Sequence, residues 1–213
     1  MEHRRLGRTG LRVSSVGLGT MTWGRDTDEL EAKEQLDIFL DAGGTLVDTA
    51  ASYGEGVSEE VIGTLLREHV DRQDLVLVSK AGVRTWRTGE RSSVADASRG
   101  SLLDTLDTSL ARLGTDHLDL LLVQVPDSST SLEETAHALS LAVSSGRTRY
   151  VGIANHPAWA SVRIHDLLSE CGRGPGLAAV EVEHSLLSRG IERELRPASQ
   201  ALGFGILGYA PLG

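Results

Sequence analysis

The chain has 213 residues, 40% hydrophobic and 24% charged, with a net charge of −9 and a pI near 5.2. That length buries a substantial core as one domain, 1–213, and the acidic balance argues against general nucleic-acid or anionic-membrane binding. A single cysteine, Cys171, excludes an internal disulfide framework, no apolar run nears the ~18 residues of a membrane span, and the first residues lack a signal peptide's apolar core, so a soluble cytoplasmic protein is expected.

Residues 4–15 read as a hairpin turning at Gly7-Arg8-Thr9-Gly10. Val16-Gly17-Leu18-Gly19-Thr20-Met21 reads as a first buried strand, and Trp23 follows on a loop. Residues 28–42 place Ala32, Leu36, Phe39 and Leu40 at helical spacing, with Gly43 as the stop. Thr45–Asp48 is a second strand, Ser58 opens a helix burying Val61, Ile62, Leu65 and Leu66, and Leu75–Lys80 is the third strand. The polar stretch 83–97 reads as irregular, its Trp86 serving as an anchor or as a pocket wall.

A helix from Ser98 buries Leu102, Leu103, Leu106 and Leu110, and Leu118–Val125 is a strand apolar on both faces. Ser131-Leu132-Glu133-Glu134 has capping-box spacing at the head of the next helix. Arg149–Ile153, Ala178–Val182 and Gly205–Gly208 complete seven strands, with helices between them and over 191–202. Alternating strands and helices, with chemistry-bearing residues at strand ends, predict a (β/α)₈ barrel. A doubly wound open sheet is the alternative, but no G-x-G-x-x-G follows the first strand.

Three residues carry the chemical argument. Asp48 ends the second strand, Tyr53 lies on the loop beyond it, and Lys80 ends the third strand. The chain has nineteen Arg and only two Lys, Lys33 and Lys80, so a Lys at a strand end suggests a need for Lys in particular. Its cation would favour tyrosinate and lower the Tyr53 pKa, while Asp48 keeps Lys80 charged and placed. Taken singly, Asp48 also suits a capped turn, Tyr53 a half-buried loop aromatic, and Lys80 a Schiff-base nucleophile. His117, His137, His156 and His165 show no ligand spacing, so no metal site is indicated.

This pattern resembles the aldo-keto reductase family. The matching stretches are L-G-R-T-G-L-R-V-S-S-V-G-L-G-T-M-T-W-G, V-D-T-A-A-S-Y-G at 47–54 and V-S-K at 78–80. D-L-L-L-V-Q-V-P-D at 119–127, V-G-I-A-N at 151–155 and G-Y-A-P-L-G at 208–213 follow in the same order. The resemblance implies a (β/α)₈ barrel that binds a nicotinamide cofactor, usually NADP(H) with NAD(H) not excluded, and reduces a small aldehyde or ketone. It makes Asp48, Tyr53 and Lys80 three of four catalytic residues, with Tyr53 protonating the carbonyl oxygen. It also implies cofactor contacts from Gly19, Thr20, Asp48, Asn155, Glu181, Tyr209 and Leu212, and pocket walls at Trp23 and Trp86. Asn155 would bond the nicotinamide carboxamide and Tyr209 would stack on the ring.

The chain departs from the family pattern in several places. Gln124 stands at the fourth catalytic position, usually His, and can donate a hydrogen bond without exchanging a proton near neutral pH. An amide also occurs there in the potassium-channel β-subunit branch, so a slow, cofactor-sensing regulator is the alternative function. Glu181 replaces a Gln, His184 a Tyr, and Ala154 a Ser. The family's eighth strand and the loop gripping the cofactor phosphates would lie beyond Gly213, so weak cofactor binding by residues 1–213 is expected.

Overall fold

The computed structural model describes residues 1–86, 92–171 and 176–212. An antiparallel pair, β1 (His3–Arg5) and β2 (Arg12–Ser14), precedes a repeating strand–helix unit. β3 (Gly17–Gly19) leads to α1 (Glu29–Asp41), and β4 (Leu46–Asp48) to α2 (Val57–Glu68). β5 (Val76–Ala81) is followed by an antiparallel pair, β6 (Val83–Trp86) and β7 (Ser92–Ala95), and then α3 (Arg99–Leu113). β8 (Leu118–Val123) leads to α4 (Leu132–Ser144), β9 (Thr148–Ala154) to α5 (Ala158–Glu170), and β10 (Ala179–Glu183) to α6 (Leu195–Leu202). β11 (Gly205–Tyr209) is last.

The seven main strands are parallel in the order β3-β4-β5-β8-β9-β10-β11, each joining beside its predecessor in the repeat. That is the wall order of a (β/α)₈ barrel, with β3 and β11 as edges among the described residues. The sheet curls strongly. Lys80 on β5 reaches within 3.3 Å of Glu181 on β10, although β8 and β9 lie between those strands.

Strand alternation sorts the apolar side chains into two cores. Val47, Leu77, Leu121, Val123, Ile153 and Val180 pack outward against helix residues such as Leu36, Ile62, Leu106, Leu139 and Ile164. Leu46, Val78, Leu120, Leu122 and Ala179 point inward and meet Leu6, Leu11 and Val13 of the N-terminal hairpin. The hairpin therefore plugs the barrel floor. Stepping two residues along the inward row leads from Leu46 to Asp48, Val78 to Lys80, Leu122 to Gln124 and Ala179 to Glu181. This period of two delivers the polar residues to one mouth.

Three local expectations need correction. Stretch 83–97 is not irregular at its ends, because β6 and β7 pair across it; residues 87–91 lie outside the described residues. The first strand is not buried: Gly17 and Gly19 are exposed because β3 is an edge that, among the described residues, pairs only with β4. Ser131 caps α4 by accepting from Glu134 N at 3.2 Å, but Glu134 does not return the bond. Its Oε1 instead accepts from Arg99 N at 3.0 Å, tying the start of α3 to α4.

The α2–α3 contact depends on Gly63, where an added Cβ would lie 2.1 Å from Arg112 O. In an exposed helix Gly→Ala gains about 1 kcal/mol, so the sign here is diagnostic. Gly63→Ala is expected to destabilise the fold by about 1–3 kcal/mol in urea unfolding, because backbone and not a flexible side chain must move.

Candidate active site

Groups from β4, the loop after it and β10 converge on Lys80, which is 2% exposed. Its Nζ donates to Asp48 Oδ2 at 2.5 Å, to Thr49 O at 3.1 Å and to Tyr53 OH at 3.3 Å. Glu181 Oε1 stands 3.3 Å away. An ammonium has three protons, and here four oxygens surround it. Tyr53 follows the strand-end turn and sits at the start of Gly54-Glu55-Gly56, whose φ angles of 58°, 60° and 100° are all left-handed. Glycines at 54 and 56 supply that reversal without Cβ strain, which turns the chain into α2 directly behind Tyr53.

Hydroxyls brace this turn from below. Ser58 Oγ lies 2.8 Å from Thr20 Oγ1 and 2.9 Å from Thr49 Oγ1, and donates to Thr20 O at 2.9 Å. Thr20 Oγ1 lies 3.0 Å from Asp48 O, joining the ends of β3 and β4. Behind Lys80, Ser79 Oγ donates to the fully buried Glu59 at 2.7 Å, and Arg112 pairs with the other Glu59 oxygen at 3.2 Å. Thr49, Ser52, Ser58 and Glu59 were not among the sequence candidates. Thr49 and Ser52 lie inside V-D-T-A-A-S-Y, and their hydroxyls were the available signal.

A second chain of polar groups crosses the neighbouring strand ends. Ser52 Oγ donates to Gln124 Oε1 at 2.8 Å, leaving the Gln124 amide nitrogen as the donor end. Asn155 Nδ2 donates to Gln124 O at 2.9 Å, and Tyr209 OH donates to Asn155 Oδ1 at 2.8 Å. Asn155 adopts φ +62°, a conformation Asn tolerates better than most residues. Gln124 thus approaches the cluster through Ser52, the neighbour of Tyr53.

The electrostatics differ from expectation at Tyr53. Burial is the largest influence and raises its pKa; Lys80 pulls it down, Asp48 pushes it up, and the net shift is upward. Lys80 therefore offsets desolvation without producing a resting tyrosinate. Burial disfavours the Lys80 charge, but Asp48, then Glu181 and Tyr53, more than offset it and hold the amine protonated. A protonated amine is unsuited to the Schiff-base role. Burial first, then the Asp48 charge, push the Glu181 carboxyl up to about 8.

Other sequence candidates lie elsewhere. Trp23 is completely buried in the outer core and donates Nε1 to Gln35 Oε1 at 2.9 Å, so it walls no open pocket here. Thr20 is also fully buried, its hydroxyl spent on Ser58 and Asp48 O. Gly19 opens onto free space, Tyr209 is 39% exposed, and Leu212 is almost fully exposed. The Trp86 side chain lies outside the described residues. Among the described residues, no cluster of three His, Cys, Asp or Glu side chains could hold a metal ion. No helix among them is long and apolar enough to cross a membrane.

A parallel barrel wall with Asp48, Tyr53 and Lys80 joined at its C-terminal mouth is an arrangement able to support acid–base chemistry at strand ends. The sequence profile of the Aldo/keto reductase family matches residues 15–213, and the chain belongs to that family. It is 34% identical to "Uncharacterized oxidoreductase YrpG" of Bacillus subtilis, over all of this chain and 67% of that protein. It is 31% identical to "Protein tas" of Escherichia coli, over all of this chain and 68% of the relative. A "Probable voltage-gated potassium channel subunit beta" of Oryza sativa subsp. japonica is 32% identical over all of this chain and 64% of its own length. Another relative, "Aldo-keto reductase YhdN" of Bacillus subtilis, is matched over only 47% of its length. The chain thus spans about half to two thirds of the relatives it matches.

Proposed function

We propose that the protein reduces the carbonyl of a small aldehyde or ketone, with NADP(H) as hydride source, NAD(H) as the competing choice, and the cytoplasm as its place of action. One observation carries this reading: Lys80 Nζ touches both Asp48 Oδ2 and Tyr53 OH at the strand-end mouth. Tyr53, neutral at rest, is a general acid positioned on the loop. As negative charge grows on a substrate oxygen, its proton moves to that oxygen, and the Lys80 ammonium at 3.3 Å stabilises the tyrosinate left behind. Asp48 balances the ammonium and fixes its direction.

The nicotinamide end of the cofactor fits the residues present. Tyr209 offers a partly exposed ring at the end of β11, Asn155 a carboxamide within reach, and Gly19 open space beside β4. Asn155 would exchange its Tyr209 or Gln124 bond to receive the cofactor amide. When bound, the reduced nicotinamide supplies the hydride.

The direct test is aldehyde-dependent oxidation of NADPH, with NADH in parallel, using the protein extended to its relatives' length. Oxidation that does not depend on aldehyde would count against the reading. Gln124 separates reductase from channel-subunit behaviour. Gln124→His is expected to speed hydride transfer in single turnovers toward the low end of the ~10²–10⁴-fold range of acid–base assistance. An unchanged or slower step would show that the amide suits this site, favouring a slow regulator similar to the channel subunit.

A further inference from the structure

Among the described residues, two buried side-chain oxygens have no hydrogen-bond partner, Asp48 Oδ1 and Glu181 Oε2. Both belong to carboxylates that share Lys80 through their other oxygen, at 2.5 and 3.3 Å. Two carboxylates and one ammonium in a buried site leave one uncompensated negative charge, an arrangement that proteins resolve by taking up a proton. A proton on one orphan oxygen, directed at the other, satisfies both at once. The strands flanking Glu181 place Ala154 and Leu207 in register with it, so neither offers a competing charge. The charged and titratable groups facing the pair are Lys80 from β5, Tyr53 from the loop after β4 and, at the end of β11, Tyr209, whose phenol the Glu181 charge helps to push up.

We propose that Asp48 and Glu181 share one proton, carried on Glu181 Oε2 and donated to Asp48 Oδ1, and that this proton decides how far the Lys80 charge can assist Tyr53. With the proton in place, Lys80 faces one carboxylate and a neutral acid, and the triad is electrically balanced. When it leaves, a second carboxylate claims Lys80 and adds a negative charge that opposes tyrosinate formation. Glu181 then acts as a positioning residue for the charge on Lys80. Burial and Asp48 favour the neutral acid up to about pH 8, so the switch operates just above neutrality.

The proton itself does not depend on the reductase reading; its effect on Tyr53 does. Infrared difference spectra of the 213-residue chain, without cofactor, test the first part. A carboxylic-acid carbonyl stretch is expected at pH 7, lost on raising the pH to 9.5 and absent in Glu181→Gln. It is also expected to vanish at pH 7 in Asp48→Asn, where Lys80 faces Glu181 alone. No acid band in the parent at pH 7, or a band that survives Glu181→Gln, overturns the proposal. The second part is read in the longer protein by single-turnover reduction across the same pH range. The parent rate is expected to fall roughly tenfold with a midpoint near 8, while Glu181→Gln stays level. A fall of equal size in both proteins overturns the gating role even if the band is present. An absence of hydride transfer at every pH strikes the reductase reading and leaves the infrared result standing.

Discussion

Lys80→Met is expected to weaken both the fold and the chemistry, the largest combined effect of any substitution at this site. The ammonium is buried and satisfies Asp48, Thr49 O and Tyr53, with Glu181 nearby. Met fills a similar volume and leaves the partly buried Asp48 carboxylate without its cation. Removing one partner of a buried ion pair costs about 3–5 kcal/mol. Urea unfolding at pH 7 measures that loss. In the folded fraction, hydride transfer should slow by ~10²-fold or more, since tyrosinate then forms without a compensating charge. A Lys80→Met protein of parental stability would show that the cluster is not buried as described.

Tyr53→Phe separates chemistry from stability. The phenol hydroxyl has one hydrogen bond in the described structure, the 3.3 Å contact with Lys80, and Asp48 and Thr49 O remain to hold the amine when it is gone. The ring is retained, so stability should change by about 1 kcal/mol or less, the usual worth of one such bond. The single-turnover rate is expected to fall by ~10²–10⁴-fold because the proton for the developing alkoxide has no nearby source. A large loss of stability with little loss of rate would reverse the assignment.

Much of this site was legible because strand alternation and strand ends are local properties of the sequence. The apolar run before Lys80 and the Gly-flanked run before Asp48 each located a strand within a residue or two of the observed bounds, and the barrel order brought their ends together. Side-chain partners were less legible, since they depend on curvature. Glu181 meets Lys80 only because the sheet bends across two intervening strands, and that closeness turns a Gln-to-Glu difference into a problem of charge balance. The family resemblance implies a pocket wall at Trp23, but the loop folds its indole under α1 toward Gln35. The direction of the Tyr53 shift is not legible in a linear motif, because burial, which depends on the fold, outweighs the neighbouring cation.

The central claim is that this mouth transfers a hydride to a carbonyl while Tyr53 delivers the proton. The most direct measurement follows isotope through one turnover in the protein extended to its relatives' length, using NADPH with deuterium at its transferable position and a reactive aldehyde. Deuterium is expected on the carbinol carbon of the alcohol product, with transfer slowed by ~10²–10⁴-fold in Tyr53→Phe. Alcohol formed without deuterium at that carbon, or at the same rate in the Phe variant, would contradict it.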